Sequence, residues 1–147
     1  MSGEMIVVNG TTKTLVSSGA SLANNTMSAA SAATYDRAAD GGDFPDASLV
    51  LAVAYGTAPT VNTTLDLYAR ELDIDGTGDA VAPTTTYKRR YIASFPVINQ
   101  TAMQYIKALA FDLPKLAEYY LHNNATGQTI SAGWTLKITP RSYKPAP

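Results

Sequence analysis

The sequence contains no cysteine and a single histidine, His122. The absence of cysteine excludes disulfide bonds, thiolate metal sites, iron–sulfur clusters and cysteine nucleophiles. One histidine without a His-Glu-x-x-His motif does not predict a catalytic zinc site. The sequence also lacks a Gly-x-Ser-x-Gly elbow and a phosphate-binding loop. We therefore expect a protein that is not an enzyme and that has no cofactor.

Charged residues are also scarce. They make up 16% of the chain, against about 25% in a typical protein. The net charge is −1, so no global positive field favours nucleic acid as a partner. No apolar run approaches the roughly 20 residues that cross a bilayer, and the N-terminus lacks the pattern of a signal peptide. We expect neither a nucleic-acid partner nor a membrane partner.

Alternating apolar and polar residues dominate what is present. The 147 residues suit one domain, and 46% of them are hydrophobic. Strands are predicted over 48–55, 63–72, 87–95, 116–122 and 128–139. Their alternation places Leu65, Leu67 and Ala69 inward on the second of these strands, and Tyr91 and Ala93 on one face of the third. Segment 103–111 fits a helix or a strand, and segment 22–39 fits a helical turn or a strand. Short strands separated by turn signals predict an all-β antiparallel sandwich, similar to a jelly roll.

The predicted organisation has three parts. Residues 1–21 are expected to form an N-terminal arm or an edge strand, because they are short, polar and interrupted by small apolar pieces. Residues 22–140 form a single β-sandwich domain. Residues 141–147 form a short proline-rich tail.

An acidic loop is the one motif that suggests a metal. Asp73, Asp75 and Asp79 alternate with glycines, and calcium prefers such oxygen ligands. The EF-hand spacing fails, because glycine stands at the fourth position and Thr84 at the twelfth. A solvated connection between two strands is the favoured interpretation, and a calcium site is the alternative.

Several side chains are candidates for a protein–protein interface. Tyrosine is enriched at interfaces because its ring can be buried while its hydroxyl stays solvated. The basic run 88–90 lies between two tyrosines, and an interface or a solvated edge fits it better than nucleic-acid binding. The alternative for the tyrosines is packing between the sheets. The candidates are Leu15, Val16, Tyr68, Arg89, Tyr119 and Tyr120.

The C-terminal half resembles small structural proteins of tailed bacteriophages. The segments that carry the resemblance are 91–97 (YIASFPV), 112–114 (DLP), 119–124 (YYLHNN), 126–128 (TGQ) and 132–140 (AGWTLKITP). In such proteins these features resemble the closing strands of a β-sandwich. The resemblance therefore favours a strand for 103–111.

Within that class, the sequence resembles capsid decoration (cement) proteins. The resemblance implies a non-enzymatic component of the phage head surface, synthesised in the host cytoplasm. It implies binding to the major capsid protein at subunit junctions and self-association, with a homotrimer favoured. Residues 1–21 would then add a strand to a neighbouring subunit. The alternative is a tail or fibre sandwich that binds a host receptor or carbohydrate through the loop 73–79 and Tyr68.

Overall fold

The computed structural model describes residues 3–147 and is all-β, with two antiparallel sheets in a sandwich-like arrangement. The predicted fold class is therefore confirmed. The strands are β1 (Met5–Asn9), β2 (Lys13–Gly19), β3 (Tyr35–Asp36), β4 (Asp46–Val53), β5 (Thr64–Glu71), β6 (Tyr91–Pro96), β7 (Gln104–Ala110), β8 (Leu116–Asn124) and β9 (Trp134–Pro145). Among these residues no helix is long and apolar enough to cross a membrane.

The pairing of the strands follows a nested order. β5 pairs with β6, β4 with β7, β3 with β8 and β2 with β9. The chain thus runs as one long hairpin whose turn lies between β5 and β6. Rolling that hairpin up produces a five-stranded sheet (β1, β2, β9, β4 and β7) and a four-stranded sheet in the order β3-β8-β5-β6. This connectivity is consistent with the predicted jelly roll.

The core lies between the two sheets. On β5 the predicted inward row Leu65, Leu67 and Ala69 is buried, which confirms that alternation. Inward rows from β4, β8 and β9 meet it from both sheets. The largest fully buried side chains are Leu15, Tyr35, Leu49, Leu51, Leu65, Leu67, Phe95, Leu113, Tyr119, Leu121, Ile130 and Leu136.

Two ambiguous segments are resolved by the structure. Segment 103–111 contains strand β7, which confirms the preference for a strand over a helix. Residues 22–33 form no helix. Residues 25–31 follow an edge of β8, with an isolated bridge from Met27 to His122, and Leu22 bridges to Ile130 beyond that strand.

Strand β6 begins later than predicted and contains a bulge. It starts at Tyr91 rather than at residue 87. Leu67 pairs with Ala93 but Tyr68 pairs with Tyr91, so Ile92 is an extra residue. The bulge turns Tyr91 outward while Ala93 stays buried. The predicted shared face of these two side chains is therefore wrong.

The predicted arm and tail belong to the sheet. Met1 and Ser2 lie outside the described residues, and β2 lies within the five-stranded sheet with Leu15 buried in the core. β1 pairs with the last residues of β9, from Asn9 opposite Arg141 to Met5 opposite Pro145. Residues 141–145 are therefore part of a strand rather than a separate tail. The two ends of the chain form one antiparallel ribbon.

Candidate interaction surfaces

The outer face of the four-stranded sheet carries a polar network centred on Asp66. The Tyr91 hydroxyl donates a hydrogen bond to Ser94 Oγ at 2.9 Å, and the Ser94 hydroxyl donates one to Asp66 Oδ1 at 2.6 Å. Asn124 Nδ2 donates to Asp66 Oδ2 at 2.8 Å. Asp66 is only 7% exposed, although it projects from the outer side of β5. Its charge is thus satisfied by neighbouring strands rather than by solvent alone.

The same face continues into an ion-pair cluster. Arg70 Nη1 lies 3.1 Å from Glu118 Oε1, and the Tyr120 hydroxyl donates to the same oxygen at 2.7 Å. Burial raises the pKa of Tyr120 to about 12, and the adjacent Glu118 carboxylate adds to this rise. Arg70 Nε also donates to the carbonyl of Ala80. This cluster ties β5 and β8 to the loop that follows β5.

His122 lies between these two groups and is 3% exposed. Its ring centroid is 6.4 Å from that of Tyr68. Burial lowers the pKa of His122, the positive charge of Lys88 lowers it further, and Asp66 opposes both effects. The folded protein therefore favours the neutral imidazole at this position.

Three of the predicted interface residues belong to the core. Leu15 and Tyr119 are each 1% exposed, and Val16 is also buried. Their assignment to an interface is wrong for this fold, because their side chains fill the space between the sheets. For Tyr119 the alternative, packing between the sheets, is confirmed.

The other three predicted interface residues lie on the outside of the four-stranded sheet or beside it. Tyr68 and Tyr120 are covered by their neighbours, with Tyr68 in an edge-to-face contact with Tyr91 at 6.0 Å. Arg89 is exposed, and its guanidinium lies 5.2 Å from the centroid of the Tyr87 ring. Of these three, Arg89 alone is exposed.

The acidic loop uses its carboxylates for local structure. Asp75 Oδ1 accepts from the backbone N–H groups of Gly78 and Thr77, and these bonds lower the pKa of Asp75. Asp79 Oδ1 accepts from the backbone N–H of Asp73, and Asp79 Oδ2 lies 3.5 Å from Arg70 Nη2. Within residues 3–147 no group of three or more acidic or histidine side chains is placed to hold a metal ion.

The outer face of the five-stranded sheet has the opposite character. Large apolar side chains alternate along β7 and its flanks, and they are joined by Val50 of the neighbouring β4. We define the β7 patch as Val50, Met103, Tyr105, Leu109 and Phe111, which are 36%, 43%, 76%, 40% and 64% exposed. Val50 on β4 pairs with Lys107 on β7 and with Lys137 on β9. Two exposed ammonium groups therefore lie in one row across the patch.

A second exposed apolar surface lies where the chain ends meet. We define the terminal ribbon as β1 together with residues 141–145 of β9. Met5, Val7 and Tyr143 are 55%, 45% and 50% exposed. Arg141 lies 5.4 Å from the ring centroid of Tyr143 and donates to its hydroxyl at 3.1 Å.

The β7 patch is absent from the residues predicted from the sequence. As a strand, segment 103–111 places Tyr105, Leu109 and Phe111 on one face, with Lys107 between them. That lysine was the available signal, because a charged side chain in the middle of an apolar row is typical of an exposed edge strand.

No protein-family model, curated protein or solved structure matches this chain.

Proposed function

We propose that this chain is a non-enzymatic structural protein of a phage virion, a capsid decoration protein that binds the major capsid protein at subunit junctions. In this proposal the terminal ribbon is the attachment element and copies of the chain associate with one another. The protein is located on the surface of the phage head. The resemblance of the closing strands to small phage structural proteins supports the class, and the exposed ribbon supports the mode of attachment.

The observation that carries the proposal is the exposed apolar surface of the ribbon. β1 pairs with β9 on one side and has no strand partner on its other side within the described residues. A two-stranded ribbon is only marginally stable by itself in water. An unpaired strand edge with Met5 and Val7 beside it offers backbone hydrogen bonds and apolar contacts to a neighbouring subunit. Such binding would stabilise the assembled shell by mass action.

The test measures binding to heads that lack this protein. A variant without residues 1–9 and the variant Val7→Asp/Tyr143→Asp should both lose co-sedimentation with expanded heads. The deletion stops at residue 9 because β2 contributes Leu15 to the core.

The matched control is Val61→Asp, since Val61 is 52% exposed and lies outside the ribbon. Unchanged binding by both ribbon variants, with folding confirmed by circular dichroism, would refute attachment through the ribbon. Failure of the wild-type protein to bind heads would refute the decoration function.

A second candidate is a tail or fibre module that binds a host carbohydrate. A surface cleft is lined by Glu71, Ile74, Asp79, Tyr87 and Arg89. A partly exposed aromatic ring beside carboxylates and a guanidinium suits a saccharide site, and here Tyr87 supplies the ring rather than the covered Tyr68. Glycan-dependent thermal stabilisation that Tyr87→Ala abolishes would support this candidate. A glycan array without binding would refute it.

A further inference from the structure

We infer that the β7 patch binds the acidic loop of a second copy of this chain, so that copies associate head to tail. The acidic loop is defined here as residues 72–81. This inference rests on the self-association that is part of the proposed function and names the two surfaces that meet.

The composition of the β7 patch favours a partner surface that is apolar and negatively charged. Its five apolar side chains lie on one face of the five-stranded sheet, and Tyr105 and Phe111 are more than half exposed. Two lysines, Lys107 and Lys137, lie at outer positions of this sheet. No carboxylate lies at an outer position of β7, of residues 48–52 or of residues 135–139. Apolar faces of this kind mark protein contacts, and the two ammonium groups favour an anionic partner.

The acidic loop has the complementary character. Ile74 and Val81 are 61% and 69% exposed, which is unusual for a loop of this polarity. Asp73 and Asp75 are exposed beside Ile74 and form no ion pair in the described structure, whereas Asp79 lies near Arg70. The turn bonds to Gly78 and Thr77 lower the pKa of the Asp75 carboxyl group, which favours its charged form.

The loop is held in position before any contact forms. The Ala80 N–H donates to the Glu71 carbonyl at 2.8 Å, and Arg70 Nε donates to the Ala80 carbonyl at 2.7 Å. The Ile74 N–H donates to the Gly78 carbonyl within the loop. A loop ordered in this way loses little conformational entropy on binding.

Pairing of the patch with a second patch is disfavoured. Antiparallel pairing of two β7 edges about their centre would place Lys107 opposite Lys107, and like charges in such pairs are destabilising. A face-to-face contact would also bring Lys137 toward the same pair. Charge complementarity therefore selects the loop of the neighbouring copy.

The geometry of such an assembly follows from the position of the two surfaces. The patch belongs to the five-stranded sheet and the loop follows β5 of the four-stranded sheet. Each copy thus offers one patch and one loop, and the contact is heterologous. A heterologous contact forms a closed ring when its rotation closes, which is compatible with the proposed homotrimer.

The test is sedimentation velocity on the purified full chain without capsids. The wild type should sediment as an oligomer whose affinity falls as salt rises, because exposed charges are screened. Lys107→Glu/Lys137→Glu should weaken association by at least tenfold. The loop variant Asp73→Asn/Ile74→Lys/Asp75→Asn should weaken it similarly, while both asparagines preserve the local backbone.

The decisive sample combines both sets of substitutions in one chain. The patch then carries two carboxylates, and residues 73–75 of the loop carry one ammonium group and no carboxylate, so association should recover relative to either set of substitutions alone. The matched control is Lys88→Glu/Ala29→Glu/Ala32→Glu, which lowers the net charge by the same amount at exposed positions outside the patch, the acidic loop and the terminal ribbon, and should leave association unchanged.

Three outcomes would overturn the inference: a wild type that stays monomeric, a control that weakens association as much as the patch variant, or a combined variant that does not recover. Binding to heads is measured separately. A monomer that still binds heads refutes the head-to-tail contact and leaves attachment through the ribbon intact.

Discussion

The outer faces of the two sheets differ in a way that side-chain polarity alone does not predict. On the four-stranded sheet the outer row is polar but covered, with Asp66 7% and His122 3% exposed. On the five-stranded sheet the outer row is apolar but open, with Tyr105 76% exposed. The first face is satisfied within the chain, whereas the second lacks a cover. We therefore interpret the first as a structural element and the second as a contact surface.

Hydrogen bonding explains why the first face needs no partner. Asp66 accepts hydrogen bonds from Ser94 and Asn124, which lie on the two neighbouring strands. Glu118 accepts hydrogen bonds from Arg70 on β5 and from Tyr120 on its own strand. Buried polar groups that are paired in this way stabilise one arrangement of the strands. The β7 patch has no equivalent pairing. Its apolar side chains stabilise a structure only when a neighbouring surface removes them from water.

The largest expected effect among substitutions on the outer faces tests the structural role of the first face. Asp66→Ala leaves the donors Ser94 Oγ and Asn124 Nδ2 without their shared acceptor, so the free energy of unfolding should fall by about 2–3 kcal/mol. Urea denaturation measures this change. Asp66→Asn retains one acceptor and should lose less. A loss below about 0.5 kcal/mol for the alanine variant would show that the network is not structural.

The next effect concerns pH. Because burial lowers the pKa of His122 in the folded state, the unfolded chain binds a proton at a higher pH than the folded chain does. This contribution to stability is complete above the ordinary value of 6.5 and is lost as the pH falls below it. Relative to His122→Gln, the wild type should lose at most about 1.4 kcal/mol per pH unit in that window. Parallel stability curves for the two proteins would contradict the prediction.

Two neighbouring tyrosines on β8 test the difference in hydrogen bonding between the inner and outer faces. The Tyr119 hydroxyl is buried without a hydrogen-bond partner in the described structure, and burial raises its pKa, whereas the Tyr120 hydroxyl donates to Glu118. Tyr119→Phe should therefore leave stability unchanged or raise it by about 1 kcal/mol, and Tyr120→Phe should lower it by about 1 kcal/mol. Thermal unfolding of the pair distinguishes them, and equal losses would argue against this assignment.

The smallest effect on stability is expected on the open face. Tyr105→Ser should change the free energy of unfolding by no more than about 0.5 kcal/mol, because the ring contributes little buried area within one copy. Leu67→Ala in the core is the contrasting control and should cost about 2–5 kcal/mol. A large loss for Tyr105→Ser at a concentration where the protein is monomeric would indicate that the patch is covered within the chain.

Much of the fold is predictable because alternation indicates which side chains of a strand face the core. Leu65 and Leu67 lie inward as predicted, since a strand with one face in the core must alternate. The shared face of Tyr91 and Ala93 was wrong, because a bulge at Ile92 shifts the alternation by one residue. Such an extra residue leaves no trace in a hydrophobic pattern.

The candidate surfaces were harder to predict than the strands. Leu15 and Val16 lie in a segment that the sequence predicts to be an arm or an edge strand, because the segment is polar and short of large apolar residues. β9 pairs with them across more than a hundred residues of sequence, for example at Val16 and Leu136. No local pattern encodes that pairing, and the same holds for β1 and residues 141–145.

The sequence by itself determined the all-β class, the absence of cysteine chemistry and the inward rows of the central strands, because these depend on composition and on a period of two residues. The tertiary structure alone decided which outward rows are covered. That outcome depends on the strands that lie beside a residue and on the loops that cross them. Asp66 is covered because Ser94 and Asn124 lie on its two neighbouring strands, and Tyr105 is open because β7 is the last strand of its sheet.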